Sequence, residues 1–275
     1  MARTAQRRVG TFIATKEHRR FVEFARAVRK HRYIGLCFGA AGVGKTLSAQ
    51  QYANWHRAGT LLTDWGPRKR SDAKVYAALA QSRSLFYTPT VSASVSRLRA
   101  DLQNLFIRVN ACIDLHGPRG KQRNDQDCWL NHVELVIIDE AERLSMSALE
   151  YVRDLFDRSD IGLILIGMPG IEKRMARYPQ LYSRVGFAHH YRPLQGDELS
   201  FVLTRHWRKL GLQLDGADFT DAQAIATIAR ITGGNFRLLH RLFVQIERVL
   251  QINELTVITD DVVNAARSTL VIGAT

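Results

Sequence analysis

A parallel α/β sheet flanked by helices, followed by a small all-helical lid, is the fold that this 275-residue sequence predicts. Three observations predict it. Short apolar runs alternate with helical periodicities up to about residue 191, the signature of strand–helix–strand crossovers. After Pro193 the strand-like runs stop and only helical periodicities continue. Between the first strand-like run and the next helix lies a glycine-rich segment of the kind that turns backbone amides toward an anion.

The elements follow in order. Residues 1–14 read as a basic arm carrying Arg3, Arg7 and Arg8, and Thr15 caps a helix over 16–30 with Phe21, Val22, Ala25 and Val28 on one face. Tyr33 to Phe38 is a short buried strand, and a helix runs from about Lys45 to Ala58. Asp64 to Ser71 is turn-like, with Arg68, Lys69 and Arg70 adjacent. A second strand covers 84–87. A helix over 92–109 carries Leu98, Leu102, Leu105 and Phe106 as its stripe. Residues 115–131 form a polar loop. A strand over 134–138, a helix over 145–158, a strand over 161–166, a helix over 170–180 and a strand over 185–191 complete the alternation. Four helices follow near 196–210, 220–231, 235–251 and 259–269, with Thr220 and Thr259 as caps. The domain reading is a basic arm and helix (1–32), a nucleotide-binding core (33–193) and a helical lid (194–275).

Composition narrows the function. Apolar content of 46% is that of a globular chain. Lys plus Arg outnumber Asp plus Glu by 39 to 26, giving a net charge of +13 and a pI near 10.1. That surplus points to a polyanionic partner, nucleic acid first and an anionic membrane surface second. The start lacks the apolar run of a secretory signal, and no stretch has the length of a membrane span. Three cysteines make no disulfide framework, so a cytoplasmic setting is expected.

Gly39-Ala40-Ala41-Gly42-Val43-Gly44-Lys45-Thr46 fits G-x-x-x-x-G-K-[ST]. Gly39, Gly42 and Gly44, with Ala41 and Val43 between them, let backbone N–H groups approach phosphate oxygens. Lys45 supplies an ammonium for the β- and γ-phosphates of ATP, and Thr46 a hydroxyl for magnesium. The helix that starts there adds its positive end. About 93 residues on, Leu135-Val136-Ile137-Ile138-Asp139-Glu140 is an apolar strand ending in two carboxylates. Asp139 is expected to hold the magnesium shell and Glu140 to orient or deprotonate the attacking water.

With Ala141-Glu142-Arg143-Leu144 after that pair, the chain resembles the AAA+ ATPases. The segment looks like the "DEA-x-RL" stretch of a subgroup that serves DNA transposition, which includes the phage Mu B protein, TnsC, TniB and, more distantly, IstB. The resemblance spans about residues 15–250. It is carried further by Phe156-Asp157-Arg158 leading to Gly162–Gly167, by Leu181-Tyr182-Ser183-Arg184 leading to Arg192-Pro193-Leu194, and by Gly233-Gly234-Asn235-Phe236-Arg237. A secretion-associated ATPase branch shares the pattern. The resemblance implies a ring or filament with ATP between subunits. Arg184 then falls where such families place a finger for the neighbour's γ-phosphate, with Arg158 and Arg153 as rivals; a surface arginine capping the preceding helix is the other reading. Arg237 matches the second sensor, a lid arginine that contacts nucleotide, although it also lies on a solvated basic face with Arg241 and Arg248. At the first sensor the chain departs from many relatives: Met168 stands where they carry a polar group, and a thioether donates no hydrogen bond.

The resemblance implies a regulator that assembles on double-stranded DNA with ATP, recruits or activates a transposase, and disassembles on hydrolysis. Arg97 and Arg99, on the helix after the second strand, and Arg119, Lys121 and Arg123, on the loop before Asp139, have the composition for phosphate contact, which ignores sequence. Charged loops facing water are the plainer reading. A protein-directed ATPase of secretion type and a nucleotide-gated scaffold with little turnover are the alternatives from other classes. Cys112 with His116, and Cys128 with His132, offer four ligands for zinc, in a spacing that fits no finger.

Overall fold

The computed structural model describes residues 12–91, 94–116 and 132–270. The chain divides into two compact units. Arg20–Arg192 forms one; the other is built from Pro193 onward together with the chain before Arg20.

The larger unit is a five-stranded sheet in the order β2-β3-β4-β1-β5, with every neighbouring pair parallel. The strands are β1 (Ile34–Phe38), β2 (Ser84–Tyr87), β3 (Leu135–Ile138), β4 (Gly162–Gly167) and β5 (Val185–His190). β2, β3 and β4 are buried along their whole length, as strands covered on both faces must be. β5 lies at the edge and alternates between half-buried and exposed positions. Successive side chains feed two cores. Ile34, Leu36, Val136, Ile138, Leu163 and Leu165 join one; Cys37, Leu135, Ile137, Ile164 and Ile166 join the other.

On the second face lies α1 (Lys16–His31), whose Phe21, Phe24, Ala25 and Val28 are buried. It sits very close to the sheet. A Cβ on Gly35 would come within 2.5 Å of Val28, and one on Gly162 within 2.7 Å of the Val28 carbonyl. Thr15 accepts the His18 N–H at 3.1 Å, as expected of its cap. On the first face α3 (Trp55–Thr63), α4 (Ala73–Ser82), α5 (Val95–His116) and α6 (Met146–Asp157) bury Leu62, Leu79, Leu102, Leu149 and their neighbours.

Four expectations about this unit are corrected. The helix read over 45–58 is two, α2 (Lys45–Tyr52) and α3, because Asn54 turns left-handed at φ 53, a conformation asparagine tolerates. α4 lies in a stretch that had no assigned element. The helix over 170–180 is α7 (Ile171–Ala176) and α8 (Pro179–Tyr182), divided where Pro179 opens a new first turn. α5 runs on to His116, past the expected end at 109.

The smaller unit packs α9 (Gly196–Lys209), α10 (Phe219–Thr232), α11 (Phe236–Ile252) and α12 (Asp260–Ser268) around Trp207, Leu242, Phe243 and Val263. Asp218, not Thr220, caps α10, accepting the N–H groups of Thr220 and Asp221. Thr259 caps α12 as expected. No helix among the described residues is long and apolar enough to cross a membrane.

Candidate nucleotide site

The site is assembled at the carboxyl ends of β1, β3 and β4. The chain leaves β1 at Phe38, turns through Gly39–Gly44 and enters α2 at Lys45. Two features force glycine here. Gly44 has φ 116, a region costly for any residue with a Cβ. At Gly39 the obstacle is space, since a Cβ would stand 2.2 Å from the Tyr191 carbonyl oxygen. Tyr191 belongs to no motif of the sequence. It is buried, its N–H bonds the Phe38 carbonyl at 2.8 Å, and its hydroxyl shares a 2.7 Å hydrogen bond with Ser48 on α2. It thus grips both ends of the loop, and the crowding at Gly39 is the sign that something packs there.

Lys45 is 8% exposed, and its Nζ donates to the carbonyls of Gly39 at 2.6 Å and Ala40 at 2.8 Å. The ammonium is therefore folded back over the loop. Thr46 Oγ1 donates to Asp139 Oδ2 at 2.7 Å. This bond joins the loop to the end of β3, across 93 residues of chain, and brings together the two groups expected to hold magnesium. Asp139 is 3% exposed; burial pushes its carboxyl above the ordinary value, against the pull of the Thr46 and Glu140 hydrogen bonds. A hydroxyl and a carboxylate oxygen side by side are hard ligands suited to magnesium, and the glycine turn suits a polyphosphate.

Glu140 follows in the left-handed region, φ 49, and its N–H donates to Asp139 Oδ1 at 3.0 Å. Its carboxylate is ion-paired with Arg143, whose other nitrogen donates to the Pro89 carbonyl at 2.9 Å. The pair is a contact of charge rather than an aligned hydrogen bond, for Glu140 Oε2 has no hydrogen-bond partner. Arg174 of α7 donates to the carbonyls of Glu142 and Leu144 and so pins the turn after Glu140. Neither Arg143 nor Arg174 was singled out for these contacts; Arg143 was visible only as a letter of its motif.

The comparisons bear on this arrangement. A family profile described as an AAA domain matches residues 28–175, more than half of the chain and all of the loop and strand-end carboxylates. The chain belongs to the AAA+ family. This AAA+ chain is similar to a "Potential ATP-binding protein" of Staphylococcus aureus, 42% identical over 268 residues, 95% of this chain and 97% of that protein. It is also similar to the Mu-like prophage FluMu DNA transposition protein B of Haemophilus influenzae, 25% identical over 84% of this chain and 71% of the relative. Among solved structures, a mutant of Thermotoga maritima RuvB superposes with a TM-score of 0.58 at 17% identity, covering 93% of this chain and 69% of that one. Cdc6p of Pyrobaculum aerophilum gives 0.58 at 13%, covering 95% and 69%. Those two likenesses confirm the fold.

The other residues that the AAA+ resemblance implies at the site lie as follows. Arg184, just before β5, makes a two-pronged pair with Asp157, Nε to Oδ1 at 2.5 Å and a second nitrogen to Oδ2 at 2.8 Å. Arg184 also holds the Asp157 carboxyl below its usual range. Arg153 shares Asp157 at 2.7 Å and takes Glu150 at 3.0 Å. Arg158 pairs with Asp154 and is the most exposed of the three. Met168 follows β4 and is 40% exposed. Arg237 lies in the smaller unit on the exposed first turn of α11, where Asn235 accepts its backbone N–H at 3.1 Å.

The expected DNA residues divide. Arg97 is paired with Asp101 at 2.9 Å, and Arg99 lies over the Tyr151 ring at 5.2 Å. Arg119, Lys121 and Arg123 lie outside the described residues, as do Arg3, Arg7 and Arg8. Of the four zinc candidates, Cys128 lies outside them too. Cys112 is fully buried, burial pushing its thiol up to about 11, and His132 is engaged by Asp114 at 2.7 Å. Among the described residues no three potential metal ligands cluster.

Proposed function

We propose that this protein is a magnesium-dependent ATPase that uses the γ-phosphate as a switch. It assembles on double-stranded DNA without regard to sequence when ATP is bound, and there recruits or activates a transposase. Hydrolysis releases the assembly. The observation that carries the enzymatic half is the Thr46–Asp139 hydrogen bond with Glu140 next in the chain, which brings two oxygen ligands and a second carboxylate, paired with Arg143, to the phosphate loop. The likeness to a DNA transposition protein B supports the other half.

In this reading Lys45 turns from the loop carbonyls to neutralise phosphate charge. Thr46 and Asp139 would hold magnesium, which supplies charge neutralisation at the phosphates. Glu140 leaves Arg143 to orient or deprotonate water. Arg184 serves the neighbouring subunit and Arg237 the nucleotide of its own, within a core of 33–193 and a lid of 194–275. The role of Arg184 goes with a ring or helical filament, in a cytoplasmic setting. A nucleotide-gated scaffold with little turnover is the second reading, favoured by Met168 at the first-sensor position.

Binding of purified protein to a random-sequence duplex, titrated with ATP, ADP or no nucleotide at one fixed salt concentration, tests the proposal. Cooperative binding that requires ATP is expected. Binding that is weak and indifferent to nucleotide would shift the reading to an ATPase that acts on a protein.

A further inference from the structure

The turn between α3 and α4 carries charges that nothing in the nucleotide site uses. Arg68, Lys69, Arg70 and Lys74 are all exposed there, and among the described residues none is within salt-bridge distance of a carboxylate. Three arginines elsewhere on this unit are instead paired with acids: Arg97 with Asp101, Arg158 with Asp154 and Arg184 with Asp157. The acid nearest in sequence, Asp72, is occupied within the turn, accepting the Lys69 N–H at 2.8 Å and the Ser71 hydroxyl at 3.4 Å.

The turn is also held in place. Trp65 packs against the main core, and the Arg68 guanidinium lies 3.6 Å from the centre of its ring. Arg108 of α5 approaches the same ring at 5.5 Å and donates to the carbonyls of Leu62 and Thr63 at the end of α3. Two arginines thus fix the base of the turn, and Lys69, Arg70 and Lys74 project from it. A run of cations on an anchored turn loses less conformational freedom on binding than the same run on a free loop.

We infer that the α3–α4 turn, through Lys69, Arg70 and Lys74, is a contact surface for the phosphate backbone of double-stranded DNA. The inference rests on the DNA-binding half of the function proposed above and moves its centre from Arg97 and Arg99, which are engaged, to these free cations. The chemistry favours a duplex backbone over an unpaired strand. Single strands are bound by stacking bases on aromatic faces, and the one aromatic ring of the turn is already covered by Arg68 and the core. Clustered cations on a turn suit the sequence-blind contact of phosphate.

The test is a salt titration of duplex binding, with ATP present, by wild type, by the triple variant Lys69→Gln, Arg70→Gln, Lys74→Gln, and by the control pair Arg97→Gln, Arg99→Gln. Each phosphate contact adds about 0.9 to the slope of log K against log salt. The triple variant is therefore expected to bind with a slope shallower by about 2–3, with nucleotide affinity unchanged, and the control with a slope close to wild type. If wild type binds steeply and the triple variant keeps that slope, the surface is misplaced while the DNA reading stands. If wild type itself binds no DNA, both fall. A triple variant that keeps its DNA slope but loses an acidic protein partner would reassign the turn to protein recognition.

Discussion

Replacing Glu140 by glutamine separates chemistry from binding at the nucleotide site, and the structure sets the size of the effect. Glutamine keeps the shape of the side chain and the backbone N–H bond to Asp139 Oδ1, but accepts no proton. A positioned general base contributes roughly 10²–10⁴ in rate, so turnover should fall by that factor, about 2.7–5.4 kcal/mol of barrier. Stability should hardly move. The Glu140–Arg143 pair is 41% and 33% exposed, and such pairs are worth about 0–1 kcal/mol; Arg143 keeps its bond to the Pro89 carbonyl. Phosphate release at saturating magnesium ATP, set beside equilibrium binding of a fluorescent nucleotide, gives both quantities. A variant that turns over within about threefold of wild type, with nucleotide bound normally, would refute the assignment of Glu140 as the base.

Other outcomes follow from contacts already described. Gly39→Ala would drive a methyl against the Tyr191 carbonyl, 2.2 Å away. A cost of about 1–3 kcal/mol and weakened nucleotide binding are expected, read by urea unfolding with and without ATP. Arg184→Ala should leave nucleotide affinity of the isolated subunit unchanged, because Asp157 keeps Arg153. Turnover in the assembled state should fall by about 10³ or more if Arg184 is the finger, and unchanged turnover would transfer that role to Arg158 or Arg153. His206 is buried against Phe243, facing His240 and Lys209, and burial lowers its pKa to about 4. Its folded value lies below the ordinary 6.5, so the stability it confers is whole above pH 6.5 and drains away as the pH falls toward 4. Between pH 7.5 and 4.5 wild type should lose about 2–3 kcal/mol more than His206→Phe in chemical unfolding.

The parts of the fold that were legible share a cause: strong patterns with one physical solution. Five strands were expected and five are present; β3 and β4 were the plainest, because runs of Val, Ile and Leu suit a sheet covered on both faces. The glycine loop and the Asp139–Glu140 pair were legible because phosphate and metal chemistry tolerate few alternatives there. What was missed depends on tertiary context. The break at Asn54 needs a left-handed residue that asparagine supplies without advertising it, and the cap at Asp218 won over Thr220 by a shift of two residues. α4 was hidden because the basic turn before it drew the reading toward a loop. Tyr191 and Arg174 act from more than 140 and about 30 residues away in sequence, a distance at which no local spacing rule speaks.

The strand order has a consequence for how the protein comes into being. β1, which leads into the phosphate loop, sits between β4 and β5, strands that begin at Gly162 and Val185. A chain growing from its amino end therefore carries Gly39–Thr46 long before either neighbour of β1 has been made, and before Tyr191 is there to grip the loop. Pairings this distant in sequence close slowly. During synthesis β1 is an apolar strand with both edges open, the kind of segment that invites misassembly and draws chaperones. The loop motif, for all its early place in the chain, is among the last features to become a site, and a fragment that stops short of β5 would carry the letters of a phosphate loop without its geometry.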